Sequence, residues 1–255
     1  MTPVRCIALV VCILAASCGI EDYPYLEPVP IGSITIELNS RSTVLLPKES
    51  PGRGFIHFTV FYRIYVSTVP ESGSIGTGVM STLNSTMLSD YNTLLPYTDT
   101  TNTTTTTAVG TLFKNRRFYE LELDGIDIDR NVLNSSSIGK TLIFNFPQIP
   151  GEIPTLTVGT ANPYQLQRTS GDGTFTPEPT DRYFQNSTEL NSSKNAVTTI
   201  NADVAGSNEA NESVTRYTYV MLYIVATGID SNFAPVYSSP AFVGVLRLPD
   251  PEVQP

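Results

Sequence analysis

Apolar and polar residues alternate with a period of two along much of this 255-residue chain, the signature of β-strands. The longest such run is Phe55–Ser67. Ile56, Phe58, Val60, Tyr62, Ile64 and Val66 share one face, and Phe55, His57, Thr59, Phe61, Arg63 and Tyr65 the other. Both faces are largely apolar, which predicts a central strand covered on both sides. Tyr217–Thr227 repeats the pattern, with Val220, Leu222, Ile224 and Ala226 opposite Tyr219, Met221, Tyr223 and Val225. Further strands are predicted at 31–38, 43–46, 111–123, 141–146, 154–160 and 241–248. Turns are predicted at 48–54, 171–179 and Asp230-Ser231-Asn232, where Pro, Gly, Asp and Asn concentrate.

The period changes after Pro70. Met80, Leu83, Met87, Tyr91 and Leu94 recur every three or four residues between Gly78 and Pro96, predicting an amphipathic helix over 79–95. Its apolar stripe must be covered by the β-framework or by a partner, so these five residues are the candidate partner-binding surface. Thr98–Thr107 holds eight threonines in ten residues and reads as an exposed loop. A second short helix is expected within 186–201, marked by Leu190, Val197 and Ile200, followed by a loose polar stretch over 205–213 and a frayed tail over 249–255.

The N-terminus has its own pattern: Arg5, then a short apolar run from Ile7 to Ala16, then small residues before Cys18. That is the layout of a secretory signal, and the run is shorter than the roughly 20 residues of a membrane-spanning helix. Leu14-Ala15-Ala16-Ser17-Cys18 resembles the lipobox of bacterial lipoproteins, in the loose form of spirochaetal ones, because Ala15 rather than Leu stands three residues before the cysteine. The resemblance covers the first twenty or so residues. It implies cleavage before Cys18, acylation of Cys18 with palmitate-type chains, and attachment to a membrane of the bacterial envelope. Gly19 in place of aspartate after the cysteine favours the outer membrane, on its periplasmic or surface face. An ordinary secretory signal is the alternative.

Cysteine usage agrees with this picture. Cys6, Cys12 and Cys18 are the only cysteines, so a mature body starting at Cys18 would have no disulfide and would be stabilised by its core alone. Loss of Arg5 with the signal leaves 14 basic against 24 acidic side chains, from totals of 15 and 24. Arg116-Arg117 is the only adjacent basic pair, so nucleic-acid binding is excluded as a function class. Gly19–Pro30, with Pro24, Pro28 and Pro30, reads as a tether in which Tyr23 and Tyr25 are placed to rest at a membrane interface or pack on the domain.

Three pieces resemble fibronectin type III domains. Phe61–Ser67 is similar to their third strand, Tyr219–Ala226 with Asp230-Ser231-Asn232 to the sixth strand and its turn, and Tyr237–Val243 to the start of the seventh. The chain departs from the family in having no tryptophan, in placing Val220 where a tyrosine is expected, and in separating Ser67 from Tyr217 by about 150 residues. The expected fold is mainly β, an immunoglobulin/fibronectin III-like antiparallel β-sandwich with a large insertion containing one or two short helices. A closed antiparallel barrel is the second choice. The expected organisation is signal peptide 1–17, lipidated tether 18–30, sandwich 31–248 with the insertion over about 70–215, and tail 249–255.

Motifs with chemical meaning are few. Ser-Ile-Gly-Lys-Thr at 137–141 ends like a phosphate loop but has Asn134 where the first glycine is needed, and reads as a turn before a strand. Asp124, Asp127, Asp129 and Asn131 place oxygen ligands at near-alternate positions and form a candidate calcium site. Val132 and Ile138 stand where an EF-hand needs Gly and Glu, so the plain alternative is an acidic loop. His57, the only histidine, reads as a packed or half-exposed ring, with no nucleophile motif beside it. The Asn-x-Ser/Thr triplets read as exposed polar loops. No cofactor is implied. The expected function is a non-catalytic binding or interaction module at the cell envelope, with membrane attachment through lipid and a protein partner of unknown identity. A structural component of an envelope assembly and, less favoured, a carboxylate-dependent hydrolase are the alternatives.

Overall fold

A computed structural model describes residues 25–37, 40–67, 85–94, 106–123, 132–149, 152–168, 184, 204–206, 217–230 and 233–248. These form β1 (Ile34–Glu37), β2 (Arg41–Leu45), β3 (Phe55–Ser67), α1 (Ser85–Leu94), α2 (Thr106–Asn115), β4 (Tyr119–Glu120), β5 (Glu122–Leu123), β6 (Thr141–Asn145), β7 (Thr155–Val158), β8 (Tyr164–Gln167), β9 (Val204–Gly206), β10 (Tyr217–Ile229), β11 (Pro235–Tyr237) and β12 (Ala241–Arg247). The protein is mainly β. Among the described residues no helix is long and apolar enough to cross a membrane.

The strands make two sheets. The first runs β1-β2-β6-β7-β8-β5 and the second β11-β10-β3-β4, with β12 also on β10 and β9 parallel on β3. β3 and β10 lie side by side over their full length, from Tyr217 opposite Ser67 to Gly228 opposite Phe55. β11 and β12 occupy one interrupted lane on the other side of β10. The break at Ser238 is held by hydrogen bonds to Ala226: the Ser238 N–H donates to its carbonyl, and its N–H donates to Ser238 Oγ, both at 2.8 Å.

Alternation decides what each face buries. In the first sheet Val44, Leu142 and Val158 form one inward row, and Ser42, Phe144 and Leu156 the next. They meet Phe58, Val60, Tyr62 and Ile64 of β3 and Val220, Leu222, Ile224 and Ala226 of β10 in a core between the sheets. Ser42 is tolerated there because its hydroxyl donates to the Val243 carbonyl of β12 at 2.6 Å, satisfying a buried polar group. The opposite parity, Phe61 and Tyr65 of β3 with Tyr219, Met221, Tyr223 and Val225 of β10, packs under α1 and α2 in a second cluster. β3 and β10 are thus covered on both sides, as their sequence pattern predicts.

Several expectations need correction. Thr106–Asn115 is a helix, although 98–107 was expected to be a loop and 111–123 a strand. Threonine and glycine are poor helix formers, but Val109, Leu112 and Phe113 fall on one helical side. Phe113 stacks on Phe61 with ring centroids 4.3 Å apart, so tertiary burial overrides propensity. The helix ends at Arg117, which takes φ 56°; the Phe118 N–H reaches back to the Phe113 carbonyl and the Arg117 N–H to the Lys114 carbonyl, a Schellman closure. The 70–215 stretch supplies β6, β7 and β8, which complete the first sheet. Leu26 and Val29 belong to the inner core, so the second half of the expected tether is packed. The predicted helix within 186–201 lies outside the described residues.

Candidate functional site

Two places concentrate features beyond simple packing. The first is under the helices. Arg63 is the one full charge in β3, and its parity directs it to the helix side. Asp90 sits on α1 between Met87 and Leu94, both fully buried, and is itself 1% exposed. Asp90 Oδ2 accepts from Arg63 Nη1 at 2.5 Å and from the Tyr65 hydroxyl at 2.6 Å. Its Oδ1 accepts from Arg116 Nη1 at 3.2 Å. The Arg63 guanidinium also lies 5.4 Å from the Tyr65 ring centroid, a favourable cation–π distance. One carboxylate therefore ties together α1, β3 and the end of α2.

The hydroxyls nearby are perturbed. Burial, reinforced by the Asp90 charge and partly offset by Arg63, pushes the Tyr65 phenol well above its ordinary range. It therefore stays protonated and acts as the donor to Asp90. Burial raises Tyr223 in the same direction, with smaller contributions from Tyr91 and Asp90. Tyr223 Oη is buried and makes no hydrogen bond. Its ring is enclosed by Phe113, Phe118 and Phe242, with centroids 5.4–5.8 Å away. Since Asp90 accepts three hydrogen bonds from its own chain, the cluster works as a clamp between the helices and the sheet.

The second place is one end of the body. β3 starts there and β10 ends there, beside β11, by their antiparallel pairing; β6 starts and β2 ends there by theirs, and the His57–Asn134 bridge joins the two. The N-terminal segment docks at this end: the Glu27 N–H donates to the Pro51 carbonyl at 2.7 Å. Two glycines make the approach possible. A Cβ at Gly52 would lie 2.3 Å from the Tyr25 carbonyl oxygen, and one at Gly228 would lie 2.4 Å from the Gly54 carbonyl oxygen and 3.2 Å from Leu26 Cδ1. The turn after β10 is closed by Ala234 N–H donating to Asp230 Oδ1 at 2.8 Å. Phe233, whose N–H donates to the Asp230 carbonyl at 3.1 Å, takes φ 62° and is 82% exposed.

The sequence-derived candidates fall as follows. Cys18, the calcium candidates Asp124, Asp127, Asp129 and Asn131, and the stripe residues Met80 and Leu83 lie outside the described residues. Met87 and Leu94 are fully buried and Tyr91 partly so, packed on their own chain in the outer cluster. Among the described residues no group of three His, Cys, Asp or Glu side chains could hold a metal. His57 is half-buried, its Nδ1 3.3 Å from Thr59 Oγ1, which in turn bonds Thr227 Oγ1 at 2.8 Å. Gly139 takes φ 74° and its N–H donates to the Pro47 carbonyl, so the Gly-Lys-Thr segment is a turn into β6. The Asp90 clamp was missed because its three partners stand 25, 26 and 27 residues from Asp90. The available signal was Arg63, a charge on a strand whose two faces are otherwise apolar or neutral.

Compared with protein-family models, curated proteins and solved structures, the chain matches none.

Proposed function

We propose that this chain is a lipid-anchored protein of a bacterial envelope, acting as a non-catalytic binding or interaction module. One observation carries the reading: an apolar run and small residues lead directly to Cys18, and no cysteine follows it. The docking of Leu26 into the core supports it, because a folded body then begins eight positions after the proposed lipid site. The body itself is read as an immunoglobulin/fibronectin III-like sandwich. The support is the antiparallel neighbourhood β3–β10–β12, the order that the third, sixth and seventh strands of such a domain take. Loops on a rigid β-framework are common recognition surfaces, which favours binding over catalysis. A clickable fatty-acid analogue supplied to expressing cells is expected to label the wild type and leave Cys18→Ala unlabelled. Equal labelling of both would contradict the reading. Protease treatment of intact cells then separates a surface location from a periplasmic one.

A further inference from the structure

We infer that the end of the body bearing Tyr25, Ile229 and Phe233 is a membrane-contact face that seats the protein on the lipid surface to which Cys18 is attached. The inference rests on the proposed acylation of Cys18 and adds an orientation to it.

Exposed apolar side chains are distributed unevenly. Among the described residues the exposed large hydrophobic ones are Tyr25, Ile31, Leu45, Ile56, Ile229, Phe233 and Ile149. Ile149 follows β6 and lies at the far end, beside Gln148, which donates to the Arg247 carbonyl at the close of β12. The other six lie at or within a few residues of the near end. Leu45 and Ile229 are the last residues of β2 and β10, and Ile56 is the second of β3. Ile31 leads into β1, Tyr25 rests on Gly52, and Phe233 closes the turn after β10 on the Asp230 carbonyl. A water-facing end has no need of such a concentration.

The chain itself says what covers this face. Tyr25 lies seven positions after Cys18, a reach of at most about 25 Å for a fully extended chain. Acyl chains on Cys18 would therefore hold this end, rather than the Ile149 end, toward the bilayer. Aromatic residues are favoured at the headgroup level, and Phe233 is the most exposed of the set at 82%. It occupies a left-handed backbone conformation that is strained for a bulky residue, where glycine or asparagine would be relaxed. An exposed aromatic side chain held in such a conformation points to a contact made by that side chain. Described charges at this end are balanced, with Lys48, Arg53 and Lys140 against Glu27, Glu49 and Asp230. These exposed apolar side chains would make the contact by insertion at the interface.

The chain contains no tryptophan, so a single one reports its own surroundings. Full-length acylated protein carrying Phe233→Trp or Ile149→Trp is reconstituted in phosphatidylcholine vesicles with brominated acyl chains. Both sites are exposed, so neither change should disturb folding. The expected result is a blue shift and strong quenching for Phe233→Trp and a water-like, unquenched spectrum for Ile149→Trp. Equal behaviour of the two overturns the orientation. A shielded but unquenched tryptophan at 233 overturns it in favour of a protein occupant, including a second copy. Protein without acyl mass that fails to float with the vesicles overturns the anchor reading itself, and the face with it.

Discussion

The two faces of β10 are buried by different means. Toward the first sheet, Val220, Leu222, Ile224 and Ala226 enter an apolar core in which Ser42 is satisfied by one carbonyl, while Thr218, of the same parity, buries a hydroxyl without a hydrogen bond. Toward the helices, Tyr219, Met221, Tyr223 and Val225 enter an aromatic cluster flanked by a buried carboxylate and two guanidinium groups. The inner face relies mainly on shape and apolarity. The outer face also relies on the contacts of Asp90, because two short helices with threonine- and serine-rich sequences have little stability of their own. The lesson is that the sheet is held mainly by apolar packing on one side and by packing together with a buried charge cluster on the other.

The contrast is sharpest at Asp90. Asp90→Ala leaves Arg63, whose side chain is 11% exposed, with an unmatched buried charge, and should cost about 3–5 kcal/mol. Leu222→Ala on the inner face should cost about 2–5 kcal/mol by leaving a cavity. The two losses differ in kind. Pairing Asp90→Leu with Arg63→Met should restore much of the first, as removal of both charges often does, whereas no single polar change should restore the second. Urea midpoints measure all three, and failure of the double variant to recover would mean that the clamp's geometry, not its charge balance, carries the stability.

Alkaline pH probes the outer face next. The folded-state pKa values of Tyr65 and Tyr223 are raised, so above pH 10 the unfolded chain loses these protons before the folded one does. Stability is then fully present below about pH 10 and falls as pH rises through the folded values, by up to about 1.4 kcal/mol per pH unit for each tyrosine. Replacing both with phenylalanine should flatten that part of the pH–stability curve. An unchanged slope would assign the alkaline loss to other groups.

The smallest expected effect has the opposite sign. Tyr223 buries a hydroxyl without a hydrogen bond, so Tyr223→Phe should be neutral or stabilising by about 1 kcal/mol. Tyr65→Phe should destabilise by about 1.5–3 kcal/mol, since it removes a donor to a charged acceptor. Thermal melts that rank the two the other way would break the distinction between satisfied and unsatisfied hydroxyls on this face.

How much of this was legible in the sequence follows the same division. Period-two alternation set out β3 to the residue, and gave the two faces of β10, because a strand between two apolar layers must repeat apolar residues on both parities. The helix at Ser85–Leu94 was visible through Met87, Tyr91 and Leu94. The helix at Thr106–Asn115 was not, since its threonines and Gly110 argue against a helix and only contact with Phe61 and Tyr237 makes one. The strand Tyr164–Gln167 escaped because four residues between turns leave too short a pattern. The clamp escaped because charge pairing across tens of residues has no local signature, although Arg63 in an apolar strand announced the need for a partner. Of the near end only Tyr25, close to Cys18 in the chain, could be seen before the pairings brought Ile229 and Phe233 to its side.

Both buried faces are closed by the chain itself, so the account of function depends on how the body is held. Intact mass spectrometry of the protein extracted from host membranes tests that most directly. The account predicts a mature chain beginning at Cys18 and heavier than its sequence by the mass of a diacylglyceryl group, with or without a further N-linked acyl chain. A chain beginning elsewhere, or beginning at Cys18 with no added mass, would contradict it.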